Sequence, residues 1–492
     1  MSPVGPRRLA TSVVALGALL VSSVAWAQVP SPTLEGPITG GRGTPFIAAT
    51  TFDLAEVGYA QEEFFISGTA TAYTSARTLT SDGTWTVTAG DTAAYKTRVL
   101  VYRPANARKF NGTVVVEWLN VSGGLDSAPD WINTHTELIR EGFAWMGVSA
   151  QFVGVEGGPA LVGVVSSPLK TTDPARYGSL HHPGDSFSYD IFSQAGRAIR
   201  HPAGRSPLGT LKVKKLIAVG ESQSAFRLVT YIDAVHRLAE IYDGFLVHSR
   251  GTGGAPLSEA PQQPIPVPRP ALIRADLRIP VLTFETETDL VFLRYFFDRQ
   301  PDSVRFRLWE VAGTAHADTY TVVVGRTDRG NSPAAAELLV TSSPLPGIID
   351  CGAPINSGPQ HFVLNAALHA LNRWVRRGTP PPRAPRLEVT AGPPLSITRD
   401  AHGNALGGIR TPAVDVPIAT LSGEGQTGSV LCLLFGTTSP FDAATLASLY
   451  PDHRAYVAAY DKATRRALRA GFVLKRDAKL MRAAAAASSV GR

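Results

Sequence analysis

Cysteine is nearly absent from this chain. Cys351 and Cys432 are the only two in 492 residues, too few for a disulfide-dense scaffold or a cysteine-built zinc module, and they leave a single possible bridge. Charge is also thin, at 18% of residues with a net +7. The lysines and arginines are scattered, which excludes the clustered basic footprint of a nucleic-acid binder. Beyond the first thirty residues no apolar run is long enough to span a bilayer. Metal-ligating residue types meet at His181-His182-Pro183-Gly184-Asp185, but no third and fourth ligand follow at a recognisable spacing, so the stretch reads as a loop or lid with no metal site.

The amino terminus is organised differently from the rest. Arg7 and Arg8 precede an apolar run over 9–24, and Ala25-Trp26-Ala27 has the small-x-small form that a signal peptidase accepts, so cleavage is expected after Ala27. A retained anchor is the competing reading; the run is short and carries Thr11, Ser12, Ser22 and Ser23. The arginine pair leaves the twin-arginine route open. Loss of those two arginines takes the net charge from +7 to +5, since residues 1–27 hold no acid. A secreted or periplasmic chain matures under oxidising conditions. A Cys351–Cys432 disulfide is therefore expected, with two buried thiols as the alternative.

Residues 28–104 read as a β-rich segment, with strands over 62–71, 84–88 and 97–102 entering a larger sheet in antiparallel fashion. After Asn111-Gly112 strands alternate with helical patterns. Strands are expected over 113–119, 143–148, 242–247, 281–284 and 304–311, and helices over 131–141 and 188–200, which implies a parallel sheet with crossover helices. The centre of this rhythm is Lys215 to Ala225, an apolar strand, a tight turn, and a helix running to Leu238. Gly220 and Ser224 flank Ser222 at the spacing of a nucleophile elbow, where small residues let strand and helix pack closely while the hydroxyl stands clear. Ser222 is thus the candidate nucleophile. A serine replaces the usual second glycine, and an ordinary strand-to-helix turn is the bland alternative.

Ordered phrases carry a resemblance: V-E-W-L-N-V-S-G-G at 116–124, G-E-S-Q-S at 220–224, F-E-T-E-T-D at 284–289 and G-T-A-H at 313–316. Residues 95–380 resemble the α/β-hydrolase superfamily, and the mature chain is similar to a group of secreted bacterial alpha/beta hydrolase domain proteins. The resemblance implies an α/β-hydrolase fold, a mostly parallel central sheet flanked by helices. It also implies a triad in the chain order serine, acid, histidine. The acid is expected three positions after a small residue in the turn following strand 281–284, which puts Thr286 at the turn and Asp289 in the role. Glu287 is the alternative, and Glu285 crowds the assignment. His316 is the expected base, in a loop beyond strand 304–311 at the carboxyl edge of the sheet, where open α/β folds place their sites. His248 shares that placement but precedes the acid; it is a pocket-lining candidate. His135, His236, His361 and His369 fall within helical patterns and read as surface or satisfied core residues, and His402 sits in a turn.

Acyl transfer also needs donors for an oxyanion. The amide of Gln223 is one candidate, and Val121 or Ser122, in the loop Asn120-Val121-Ser122-Gly123-Gly124, supplies the other. Long insertions at 154–185 and 250–277 are expected to cover the site. A helix over 360–377 closes the core, which spans 105–382. Residues 383–492 form an accessory region packed on it, with an alanine-rich tail expected to fray after Met481. The whole reads as a secreted serine hydrolase of carboxylic esters, small or polymeric, with amide or thioester cleavage and a non-catalytic hydrolase scaffold as alternatives. No cofactor, nucleic acid or membrane span after cleavage is implied.

Overall fold

The computed structural model describes residues 1–3, 5, 29–162 and 165–492. Residues 7–27, on which the export signal rests, lie outside them. Nine strands form one sheet: β1 (Thr33–Glu35), β2 (Tyr59–Thr74), β3 (Thr88–Pro104), β4 (Thr113–Trp118), β5 (Ala144–Val148), β6 (Lys215–Glu221), β7 (Gly244–His248), β8 (Val281–Glu285) and β9 (Phe306–Glu310). Their order is β1-β2-β3-β5-β4-β6-β7-β8-β9. The last six positions, β5 to β9, pair in parallel, while β1, β2 and β3 pair antiparallel and β3 joins β5 antiparallel. The β-rich segment is therefore continuous with the main sheet.

Unbroken apolar runs in β4 and β6 follow from coverage on both faces. Successive side chains alternate between faces. Val114, Val116, Trp118, Leu216 and Ala218 enter one core, while Val115, Ile217 and Val219 enter the other. Helices α1 (Pro129–Arg140), α2 (Ser188–Arg200) and α3 (Gln223–Thr230) follow β4, β5 and β6, α4 (Glu287–Val291) follows β8, and α5 (Gln360–Arg377) follows β9. Phe192 of α2 and Leu228 of α3 fill the first core; Trp131 of α1 and Leu364, Leu371 and Trp374 of α5 fill the second.

Helical periodicity places α2 and α5 at their observed bounds. Three expectations need correction. Residues 84–87 are not a strand; Trp85 instead turns its ring nitrogen to the Thr80 carbonyl at 2.7 Å. The elbow helix does not run smoothly to Leu238, but passes through a π-helical turn at Tyr231–Val235. There the Arg274 guanidinium donates to the Asp233 carbonyl and the Arg274 amide to the Asp233 carboxylate, drawing the backbone out of its usual pairing. The alanine-rich tail is helical, not frayed: α6 (His453–Ala470) is followed by α7 (Lys475–Ala487), with Met481, Ala484 and Ala485 buried.

The insertions are held to the core by buried charge. Arg98, fully buried on β3, donates to Asp126 at 2.6 Å and lies 3.6 Å from Glu63, which in turn accepts from Arg176 at 2.6 Å and from Tyr177 at 2.9 Å. Val162 and Ser167 lie over the Asn120–Gly124 loop, donating their amides to the Ser122 carbonyl at 3.3 Å and the Gly124 carbonyl at 2.8 Å. In the second insertion Arg250 is buried against Asp298. Arg98→Met is expected to lower unfolding stability by about 3–5 kcal/mol, because Asp126 would be left buried without its counter-charge while Glu63 kept only Arg176. Urea denaturation reads this; a change under about 1 kcal/mol would contradict it.

Cys351 and Cys432 form a disulfide with Cα atoms 5.5 Å apart. Intact mass of non-reduced, denatured protein is expected to show no alkylatable thiol, and two alkylated cysteines would refute the bridge. Among the described residues no helix is long and apolar enough to cross a membrane.

Candidate active site

Ser222 stands at the turn between β6 and α3 with φ 57° and ψ −121°, a conformation unfavourable for a residue with a Cβ and held only by its surroundings. The close packing that enforces it is visible at Gly220. A Cβ there would meet Leu228 Cδ1 and the Ser224 carbonyl oxygen at 3.0 Å. Ser224 has room for its side chain, and its hydroxyl donates to the Glu221 carbonyl at 2.9 Å. The substitution of serine for the second glycine therefore leaves the turn intact.

His316 lies between Ser222 and Asp289. Its Nε2 is 2.8 Å from Ser222 Oγ, and its Nδ1 is 2.6 Å from Asp289 Oδ1. Asp289 is fully buried at the start of α4, where its Oδ2 accepts from the Thr286 amide and hydroxyl, both at 2.7 Å. Thr286 caps the helix reciprocally, so a capping box fixes the rotamer that points Oδ1 at the ring. Burial works against the His316 cation, but the charge and hydrogen bond of Asp289, with Glu221 nearby, outweigh it and raise its pKa above the ordinary value.

Glu287, the alternative acid, points elsewhere. Its Oε1 accepts from the Gly313 amide at 2.6 Å, and its Oε2 from the Gly423 amide at 3.0 Å and Arg399 at 3.1 Å. It braces the loop that carries His316 against the carboxy-terminal region. Gly313 itself needs to be glycine, with φ 73° and a hypothetical Cβ 2.5 Å from Val414. Gln360 holds the same loop through the Ala315 carbonyl at 3.1 Å. Glu285 is buried with neither carboxylate oxygen partnered among the described residues, and burial, with Asp289 close by, pushes its pKa well up.

The amide of Gln223 opens α3, which has no side-chain cap, and as a helix-terminal donor it has no carbonyl within the helix to pair with. The two loop candidates separate. Ser122 donates its amide to Asn120 Oδ1 at 2.8 Å, so that donor is already engaged. The Val121 amide meets no acceptor among the described residues. The Gln151 and Gln223 side chains hydrogen-bond to each other beside the elbow.

His248 is buried at the end of β7 with Nδ1 2.9 Å from Asp130 Oδ1. It faces the interior, not an open pocket. His135 and His369 bond to the Asp328 carbonyl and to Glu137. His361 departs from the expectation of a satisfied core residue: it stacks on Tyr320 at 3.5 Å, and neither ring nitrogen has a partner among the described residues. Burial lowers its pKa well below the ordinary value and keeps it neutral. At 181–185, His182 is buried against the Ala150 carbonyl and Asp185 pairs with Arg227. Among the described residues no group of three or more candidate ligands converges on a metal position. Asp130 and the role of Glu287 escape sequence reading, because the partners of each are distant in the chain.

A family model described as alpha/beta hydrolase domain matches residues 34–483. No curated protein matches the chain. Among solved structures, acetyl xylan esterase 1 from a Thermoanaerobacterium species is 10% identical with a TM-score of 0.29, over 57% of this chain and 81% of that one. The glucuronoyl esterase of Solibacter usitatus is 11% identical with a TM-score of 0.27, over 58% and 81%. A lidless serine hydrolase of Xanthomonas campestris is 13% identical with a TM-score of 0.26, over 50% and 83%. Likeness at this level says nothing of what this chain cleaves.

Proposed function

The chain belongs to the alpha/beta hydrolase domain family, and on that premise we propose that it is a serine hydrolase of carboxylic esters working through an acyl-enzyme on Ser222. The observation that carries the reading is the unbroken hydrogen-bonded line from Asp289 through His316 to Ser222. Ser222 Oγ attacks the ester carbonyl carbon as His316 Nε2 takes its proton, and the imidazolium then returns that proton to the leaving alkoxide. Asp289 keeps the second ring proton on Nδ1 and stabilises the cation. The amides of Gln223 and Val121 receive the oxyanion. Water repeats the sequence to release the acid.

In this reading residues 105–382 form the catalytic core. The segment 28–104 extends its sheet, and 383–492 brace the base loop through Gly423 and Arg399. Export to the periplasm or beyond is part of the proposal, and the Cys351–Cys432 bridge supports it.

An ester, a thioester and an anilide sharing one acyl group test the assignment. The ester is expected to give the highest kcat/KM and the anilide the lowest. Equal turnover of the anilide would move the reading to an amidase, and folded protein inert toward all three would leave a non-catalytic scaffold.

A further inference from the structure

Two carboxylates flank the His316 ring. Asp289 meets Nδ1, and Glu221 Oε1 lies 3.3 Å from Nε2, the atom that also faces Ser222 Oγ at 2.8 Å. A neutral imidazole with its proton on Nδ1 presents a lone pair at Nε2, and an anionic oxygen there is repelled. Once Nε2 carries a proton the same contact becomes attractive. Glu221 is buried, and its rotamer is fixed: Asn120 Nδ2 donates to its Oε2 at 3.1 Å and to its backbone oxygen at 3.0 Å.

Behind Glu221 stands a second ionisable pair. Parallel register sets Glu221 on β6 directly beside His248 on β7. His248 holds Asp130 at 2.9 Å through Nδ1, while its Nε2 is buried and has no partner among the described residues. Asp130 is in turn fixed by its amide, which donates to Glu117 Oε1 at 2.9 Å.

Resting on the serine hydrolase reading above, we propose that Glu221 is a positioning residue for the base. It stabilises the His316 cation from the Nε2 side as Asp289 does from Nδ1, and the His248–Asp130 pair governs how readily Glu221 keeps its charge. In the acylation step the Ser222 Oγ–H bond breaks, the proton passes to Nε2, and an Oγ–carbon bond forms as the carbonyl electrons move to oxygen. Glu221 neither gains nor loses a proton in that step. It supplies negative charge beside the nitrogen on which positive charge develops.

The arrangement predicts its own cost at low pH. Glu221 faces His316 from the loop after β9, His248 from β7, Asp130 from α1 and Asp289 from α4. His248 is faced in addition by Asp318. Burial pushes the Glu221 carboxyl up to about 7, against the pull of His316 and His248. Burial opposes the His248 cation too, but Asp130, Glu221 and Asp289 outweigh it and raise its pKa. When Glu221 and His316 together hold one extra proton, Nε2 is occupied and cannot accept from Ser222. Activity therefore appears as pH rises through the shared titration of that pair.

The test is the pH profile of kcat/KM on an unactivated ester for wild type, Glu221→Gln and His248→Gln, with folding checked by thermal melts. Glu221→Gln is expected to move the acidic limb down by about one pH unit, since one neighbouring negative charge is gone. Its plateau is expected to fall about tenfold, as transition-state stabilisation is lost. His248→Gln is expected to move the limb the other way, because Glu221 loses a cation and Asp130 is left unpaired. Limbs unmoved in both variants, or moved in the same direction, would overturn the proposal. Should Glu221→Gln fail to fold, His248→Gln decides alone, an unmoved limb again overturning it. Absence of fluorophosphonate labelling at Ser222 in wild-type protein would instead overturn the serine hydrolase reading, so the two failures are distinguishable.

Discussion

Ser222→Ala is expected to lower kcat for ester cleavage by about 10⁶. The magnitude follows from what the substitution removes. His316 Nε2 faces one hydroxyl, Ser222 Oγ at 2.8 Å, and without it neither the acyl-enzyme nor the proton transfer exists. What remains is the binding of substrate beside the proposed oxyanion donors, on the order of 10³ to 10⁴ over water in enzymes of this kind. The fold should survive. The strain at φ 57° is imposed on any residue with a Cβ, so alanine inherits it without adding to it, and the melting temperature is expected to stay close to wild type. A variant that is folded and retains more than about 1% of wild-type kcat would exclude Ser222 as the nucleophile.

Asp289→Asn has the second largest expected effect, a loss of about 10⁴ in kcat. An amide at 289 offers an NH₂ group to His316 Nδ1, favours the wrong tautomer and cannot stabilise the cation. The capping geometry is expected to persist, because the Asn oxygen can still accept from the Thr286 amide, as Oδ2 does now at 2.7 Å. Glu287→Gln should behave differently. Its bonds reach Gly313, Gly423 and Arg399, so the change loosens the loop bearing His316 and lowers stability, with a loss in kcat far below that of Asp289→Asn. Both variants are to be compared on an activated and an unactivated ester, since a good leaving group hides part of a base defect. A large loss in Glu287→Gln beside near-wild-type rates in Asp289→Asn would transfer the acid role to Glu287.

The contrast between these two carboxylates is one of local against distant signal. The register of β8 and the short reach of Asp make Asp289 readable as the residue beyond the turn, because the signal is local. What Glu287 does instead depends on Gly313 and Gly423, far along the chain, and no local pattern reports it. The same holds for Glu221 and His248. Each is visible as a polar residue at the end of an apolar strand, but their adjacency comes from strand pairing. The Ser122 amide is engaged by Asn120, two residues away, through a turn whose direction spacing alone does not define. The tail after Met481 misled for another reason: alanine-rich sequence has high helix propensity but little apolar area, and only packing against α6 shows that one face is buried.

The central claim, that Ser222 is a nucleophile activated by His316, is tested most directly by incubating the folded wild-type protein with a fluorophosphonate and mapping the modified peptide. Stoichiometric phosphonylation of Ser222, abolished by prior denaturation and absent in Ser222→Ala, is the predicted result. Labelling of a different serine, or none in protein shown to be folded, would contradict it.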